Sequence, residues 1–306
     1  MTWDGNVIGG IASPRALVCS GYNLIENYSF EDNLDDWTGT GVDYTGQFDS
    51  TAPHGSTVLE FEDSNDASLG AVYNQINIGE AIGGKTFVIT FYVKNADNTS
   101  STAMIAFETS LGNQDYTKTF STISTAWRKI TYTITWGATL TQQYFYVALF
   151  CREDYTEPNL LTRFDYFELY EVDGDYTLKT SNQFTQNYLK ELNYSDESLD
   201  GRERESIKGW RYTANLNYQF LEAADAATLV YLSEASFIVF YPHSDHTFSV
   251  TVRWNGDFGL NYPWDRYLGH RIVMPLRGTE LVSNKPRTTT AGESESIRLE
   301  RTEIVF

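Results

Sequence analysis

Short alternating segments separated by turn-rich sequence dominate residues 23–172, and this pattern limits the fold more than any other feature. In KTFVITFYVKNA (residues 85–96), every second residue from Phe87 to Val93 is large and apolar. A period of two is that of a β-strand with one buried face. Stretches such as GEAIGG and NADNTS have turn-forming composition. Regularly spaced short strands with almost no helix predict a β-sandwich. The other strands predicted in this region are residues 57–62, 71–78, 102–110, 127–136, 144–151 and 163–172.

The composition agrees with a mainly β fold and argues against several kinds of partner. Aromatic residues make up 15% of the 306 residues, and aromatic side chains favour strands. The net charge is −19, so we expect no nucleic-acid partner, because binding phosphates needs clustered Lys and Arg. No stretch approaches the apolar length of a membrane span. The N-terminal sequence also lacks the basic start and long apolar run of a secretion signal.

Motifs of known catalytic sites are missing from the sequence. It contains no G-x-S-x-G elbow, no H-E-x-x-H pair and no phosphate-binding loop. Pairs of carboxylates are frequent because the chain is acidic, so they do not indicate a glycosidase. We therefore expect a protein that is not an enzyme.

The pattern changes after residue 172. Residues 173–282 contain two predicted strands joined by a charged turn, a helix at residues 222–235 and three further strands. The helix is rich in Ala, and Leu229 and Leu232 share one of its faces. We expect a smaller β-rich domain with one helix.

Four regions follow from these patterns. They are an N-terminal arm at residues 1–22, the sandwich at residues 23–172, the smaller domain at residues 173–282 and a C-terminal tail at residues 283–306. The excess of acidic over basic residues is larger before residue 172 than after it, which supports a boundary there. The tail ends in the alternating run IRLERTEIVF, which predicts a strand that joins either a neighbour's sheet or its own domain.

An ordered set of motifs in the first half resembles a known family. NLIENYSFEDNLDDWT, HGSTVLEF, GGKTFVITFYVKNA, STAWRKITYTIT, YFYVAL and FDYFELYEV follow one another as in carbohydrate-binding modules of families four and nine, which are galactose-binding-like jelly rolls. The resemblance implies that Trp37 packs in the core. It also implies that Glu31 and Asp165 help to hold a structural calcium ion, Ca2+, that joins the two ends of the domain. Calcium takes six to eight oxygen ligands, so backbone carbonyls would complete the set.

The same resemblance implies a ligand cleft on one sheet face. A sugar site needs aromatic faces for stacking and polar groups for the hydroxyls. Tyr144 and Tyr146 share a strand face, and together with Tyr92 they are the predicted sugar-stacking residues, with Gln75 or Glu108 as polar partners. The alternative is that these are ordinary outer-face tyrosines of a Tyr-rich β protein. Further aromatic candidates are Tyr44, Phe48, Tyr73 and Tyr116.

The second half resembles a different group of proteins. GWRYTANLNYQFLEAADAATLVYL and FIVFYPHSDHTFSVTVRW are similar to small β-rich domains of phage tail and baseplate proteins. This resemblance implies a structural component of a bacteriophage virion, in the tail, neck or baseplate. Such a protein would assemble in the host cytoplasm, form homo-oligomers, contact other virion proteins through residues 173–306 and present the sandwich to host glycans. The alternative is a secreted or surface-attached, non-catalytic carbohydrate-binding protein.

Overall fold

A computed structural model describes residues 6–7, 14–62, 70–96, 102–121, 126–151, 161–197, 203–242, 249–256 and 270–282. The fold is mainly β, as predicted, with one helix among the described residues. No helix in these ranges is long and apolar enough to span a membrane. The elements in chain order are β1 (Asn6–Val7), β2 (Arg15–Ser20), β3 (Trp37–Thr40), β4 (Asp43–Phe48), β5 (Thr57–Glu62), β6 (Ala71–Asn77), β7 (Thr86–Asn95), β8 (Thr102–Glu108), β9 (Tyr116–Ser121), β10 (Arg128–Thr135), β11 (Tyr144–Phe150), β12 (Thr162–Thr177), β13 (Gln183–Glu197), β14 (Glu203–Leu221), α1 (Ala223–Glu234), β15 (Phe237–Tyr241), β16 (Val250–Trp254) and β17 (His270–Val282).

The described residues form two compact units. The sandwich unit runs from Tyr22 to Glu171, and the second unit combines residues before Tyr22 with residues from Val172 onward. Strand β12 contributes residues to both units, because the boundary falls between Glu171 and Val172.

Two five-stranded sheets make up the sandwich unit. The front sheet has the strand order β3-β6-β11-β8-β9. The back sheet consists of β4, β5, β12, β7 and β10 in that order. Neighbouring strands are antiparallel in the front sheet, with β11 pairing to β6 on one side and β8 on the other.

Aromatic side chains fill the space between these two sheets. The Phe167 ring lies 5.1 Å from both Phe91 and Trp37 and 5.9 Å from Phe30, measured between ring centroids. Trp37 is therefore a core residue, as predicted. The predicted inward set of β7, from Phe87 to Val93, also lies in this core.

The second unit is a sheet with one helix packed on it. Its strand order is β1-β13-β14-β17-β16-β15-β2. Helix α1 buries Ala226, Leu229 and Leu232 in a core that includes residues of β16 and β17. Near its first turn, Lys179 forms an ion pair of 2.5 Å with Asp225.

Part of the predicted N-terminal arm is a strand. Arg15–Ser20 form β2, which pairs antiparallel with β15 and buries Ala16 and Val18 in the core of the second unit. The apolar run ALVC explains this placement, because it would be costly to leave in water. The predicted tail, residues 283–306, lies outside the described residues.

Candidate functional site

Three tyrosines lie side by side on the outer face of the front sheet. Because Phe145 and Val147 of β11 pack into the core, the alternate residues Tyr144 and Tyr146 face outward. The Tyr146 ring centroid lies 6.1 Å from that of Tyr73 on β6 and 5.8 Å from that of Tyr144. The rings meet edge to face, at 79° and 76°. Tyr144 is 39% exposed and the other two are half-buried.

Two polar residues flank Tyr146 on the neighbouring strands. The sheet register places it opposite Gln75 of β6 and opposite Glu108 of β8. Residues directly opposite on paired strands project from the same face. Gln75 is exposed, whereas Glu108 is only 1% exposed. The structure thus brings together two predicted stacking residues and both predicted polar partners.

The Glu108 carboxylate has one oxygen engaged and one without a hydrogen bond. The backbone N–H of Gly112 donates to Oε2 at 2.7 Å. Oε1 is buried and has no hydrogen-bond partner in the described part of the chain. Burial raises the pKa of Glu108, and the nearby Asp115 adds to the rise, while the Gly112 and Gln114 amides oppose it. An unsatisfied acceptor therefore stands beside Tyr146.

A buried apolar strip adjoins the tyrosines. The register places Ala148 between Tyr73 on one side and Ala106 on the other. Both alanines are buried. The full strip consists of Ala71, Met104, Ala106, Ala148 and Phe150, with Tyr73 packed against it.

A hydrogen bond orients Tyr73, and burial affects the pKa of Tyr146. The hydroxyl groups of Tyr73 and Thr40 are 2.5 Å apart, which fixes the Tyr73 ring. Burial raises the pKa of Tyr146, with smaller contributions from Tyr144 and Tyr73. Tyr146 therefore presents a neutral phenol ring at physiological pH.

The structure does not place Tyr92 on this face. Tyr92 is on the back sheet and is only 4% exposed. It packs with Trp127, Tyr166 and Ala52, and Ala52 belongs to the loop between β4 and β5. That loop covers the outer side of the back sheet, so Tyr92 offers no open ring face for stacking.

A buried charge network fastens the same loop. Asp49, which directly follows β4, forms ion pairs with Lys94 of β7 and, at 3.1 Å, with Arg163 of β12. Hydrogen bonds from Lys94 and Thr51 lower the pKa of Asp49 against the opposing effect of burial. Lys94 also lies 4.8 Å from the centre of the Trp127 ring. The sequence pattern did not predict this network, although a Lys inside an otherwise apolar strand is a signal that another segment covers it.

The two predicted calcium ligands meet the loop between β4 and β5 as well. Glu31 Oε1 accepts hydrogen bonds from the backbone N–H groups of Ser56 and Thr57, at 2.8 and 2.7 Å. Asp165 Oδ2 accepts one from the N–H of His54 at 2.9 Å. Gly55, at φ +62°, sits against the Glu31 carboxylate, where any Cβ would collide.

Glu31 and Asp165 carry the type of ligand that calcium takes. Both offer the hard oxygen donors that calcium takes, and both lie against one short loop. No group of three or more His, Cys, Asp or Glu side chains that could hold a metal ion occurs within the described ranges. Backbone carbonyls would have to complete the ligand set.

The other aromatic candidates lie away from the tyrosine face. The Tyr44 hydroxyl donates to the carbonyl of Trp37 at 3.1 Å. Tyr116 packs edge-on against Trp136 at 5.0 Å. Phe48 is 68% exposed but lies on β4 of the back sheet.

Comparison with known protein families finds a match within the sandwich unit. The sequence model of a family described as a carbohydrate binding domain matches residues 22–153. This match confirms the resemblance predicted for the first half of the chain. No curated protein sequence matches the chain.

Solved structures with a similar fold include proteins of three kinds. An arabinose-bound α-L-arabinofuranosidase aligns with 13% identity over 55% of this chain and 27% of its own, at a TM-score of 0.40. The xylan-binding domain CBM22-1 from Paenibacillus barcinonensis aligns with 18% identity over 51% of this chain and 98% of its own, at 0.41. The enzymatically active domain of a bacteriophage CBA120 tailspike protein aligns with 16% identity over 49% of this chain and 21% of its own, at 0.35. The chain thus spans about a quarter of the enzyme and about a fifth of the tailspike protein.

Replacing Glu108 by Gln should stabilise the protein at neutral pH. A carboxyl group whose pKa is raised by folding contributes stability below its unfolded pKa of about 4.5 and loses that contribution as the pH rises through the folded value. We expect Glu108→Gln to raise the melting temperature by about 2–4 °C at pH 7, the shift that corresponds to roughly 1 kcal/mol. The difference should shrink at pH 4. Thermal denaturation of both proteins across this range checks it, with the exposed Glu26→Gln as the control. An equal difference in melting temperature at pH 7 and at pH 4 would contradict the raised pKa of Glu108 as its cause.

Proposed function

We propose that the sandwich unit binds glycans on the outer face of its front sheet. The observation that carries this proposal is the grouping of Tyr73, Tyr144 and Tyr146 with Gln75 and Glu108. The family match to residues 22–153 supports it independently.

The chemistry of the face suits a carbohydrate. The C–H face of a pyranose ring is apolar and stacks on an aromatic ring, as apolar groups do. The hydroxyl groups radiate from the edge of the sugar, where they need hydrogen-bond partners. A sugar on Tyr146 would meet the Gln75 amide on one side and the Glu108 carboxylate on the other. The family match supports a binding role for this unit rather than a catalytic one, and we propose that the whole chain is not an enzyme.

Removing the tyrosines should abolish glycan binding. We expect Tyr144→Ala with Tyr146→Ala to weaken binding at least about tenfold, since each tenfold corresponds to about 1.4 kcal/mol of lost stacking. A glycan array identifies the ligand, and titration calorimetry then measures the affinities. Tyr231→Ala is the matched control, because Tyr231 is 41% exposed, like Tyr144, but lies on α1 of the second unit. Unchanged affinity in the double variant would reject this face as the site.

We also propose that Glu31 and Asp165 hold a structural calcium ion. The ion would supply positive charge between two carboxylates that approach one loop from different parts of the chain. Calcium binding at Glu31 and Asp165 would hold the loop between β4 and β5 in place. This loop packs over Tyr92 and Trp127.

Calcium should therefore raise the melting temperature relative to the chelated protein. A ligand present at 100 times its dissociation constant stabilises the folded state by about 2.7 kcal/mol, which is a shift of several degrees. Thermal melts in calcium chloride and in EDTA measure it. The shift should vanish in Glu31→Gln and Asp165→Asn and persist in Asp32→Asn, which removes a neighbouring carboxylate in the same acidic stretch. Identical melts with calcium and with EDTA would exclude the site.

A third proposal concerns residues 173–306. We propose that residues 173–306 attach the protein to other virion proteins and to copies of itself, and that the sandwich faces host glycans. The sequence resemblance of this region to phage tail and baseplate domains supports this role. A secreted or surface-attached glycan-binding protein is the alternative.

Oligomerisation distinguishes these two roles. Light scattering should give a mass several times that of the chain, and deletion of residues 283–306 should lower it if the tail joins a neighbour's sheet. The same measurement on Tyr144→Ala controls for changes unrelated to assembly. A monomer both with and without the tail would favour the secreted or surface-attached alternative.

A further inference from the structure

We propose that Glu108 determines the specificity of the tyrosine face, by accepting a hydrogen bond from a hydroxyl of the sugar stacked on Tyr146 and by repelling anionic sugars. This inference rests on the proposed function and narrows it to uncharged glycans.

The free oxygen of Glu108 is the first observation. Oε2 is held by the Gly112 amide at 2.7 Å, whereas Oε1 is buried without a hydrogen-bond partner among the described residues. Folded proteins rarely leave a buried acceptor unsatisfied, because its hydration is lost without compensation. A hydroxyl group of a ligand would donate the hydrogen bond that Oε1 lacks.

The position of Glu108 in the sheet is the second observation. It lies directly across from Tyr146, and opposite residues on paired strands have Cβ atoms about 5 Å apart. A sugar ring stacked on Tyr146 would therefore have Glu108 on one side and Gln75 on the other. Oε1 itself is buried, so a side chain that covers it has to move before a sugar hydroxyl can reach it.

The charge of the face is the third observation. Among the strand residues described on this face, the only charged side chain is that of Glu108, and none is Lys or Arg. Asp115 adds further negative charge beside Glu108. A uronate, sialate or sulfate would bring a second anion to Glu108 with no cation to pair it. Such repulsion is an effective means of excluding a wrong ligand.

Glu108→Gln separates this role from a purely structural one. The Gln side chain keeps a carbonyl oxygen for the Gly112 amide, so the loop that follows β8 stays anchored. At the position of Oε1 it presents an NH2 group, which donates instead of accepting and carries no charge. A residue that only held the loop would tolerate this change without an effect on ligand choice.

The test is a single glycan array that carries uncharged glycans together with uronate-, sialate- and sulfate-bearing ones. Wild type, Glu108→Gln and Glu26→Gln are compared at pH 7, with melting temperatures recorded to verify folding. We expect wild type and Glu26→Gln to bind only uncharged glycans. Glu108→Gln should bind those at least tenfold more weakly, and its discrimination against acidic glycans should decrease.

The outcomes separate this inference from the function on which it rests. If wild type binds no glycan, the proposed function fails and the role of Glu108 fails with it. If wild type binds glycans but Glu108→Gln has the same profile, or if wild type prefers acidic glycans, the function stands and the role of Glu108 is rejected.

Discussion

The packing of the sandwich core decides what the outer face of the front sheet displays. A strand has a period of two, so burying Phe145, Val147 and Leu149 leaves Tyr144 and Tyr146 no position except the outer face. A slip of one residue would move the tyrosines into the core and the apolar set into water. The same rule fixes Tyr73 and Gln75 on β6 and Glu108 on β8. The site is therefore specified by the hydrophobic residues behind it.

The two sheets of the sandwich use their outer faces differently. On the back sheet, the loop between β4 and β5 covers Tyr92 and Trp127. The charged pair of Asp49 and Lys94 lies under this cover, where burial lowers the pKa of Lys94 while Asp49 opposes the shift. A buried ion pair of this kind adds little net stability, because the loss of hydration offsets the attraction between the charges. On the front sheet, Tyr144 and Gln75 remain exposed.

The sequence predicted the strongly periodic parts of the fold and missed those whose partners are distant or whose residues are polar. Strands β5, β7 and β11 were predicted almost to the residue because their apolar residues alternate. The edge strands β4 (DYTGQF) and β9 (YTKTFS) were missed because they bury few side chains and so carry little hydrophobic signal. The alternation in β7 also predicts that Tyr92 points away from the core between the sheets. In the structure the loop between β4 and β5 covers Tyr92. No local sequence pattern predicts that a distant loop will cover a given side chain. The pairing of Tyr146 with Gln75 and Glu108 follows from the register of the sheet, which no local pattern in the sequence reports.

The near-perpendicular tyrosines impose a shape on anything that stacks on more than one of them. Rings inclined at 79° and 76° cannot lie against a single plane. The flat surface of a polysaccharide crystal, in which successive sugars share a plane, could not stack on Tyr146 and on one of its two neighbours at the same time. A chain that follows a screw turns each sugar relative to the one before it. Such a chain can present one sugar to Tyr73 and a differently oriented one to Tyr146. If the face binds a glycan as we propose, the angle between two phenol rings would favour a ligand of a particular helical pitch.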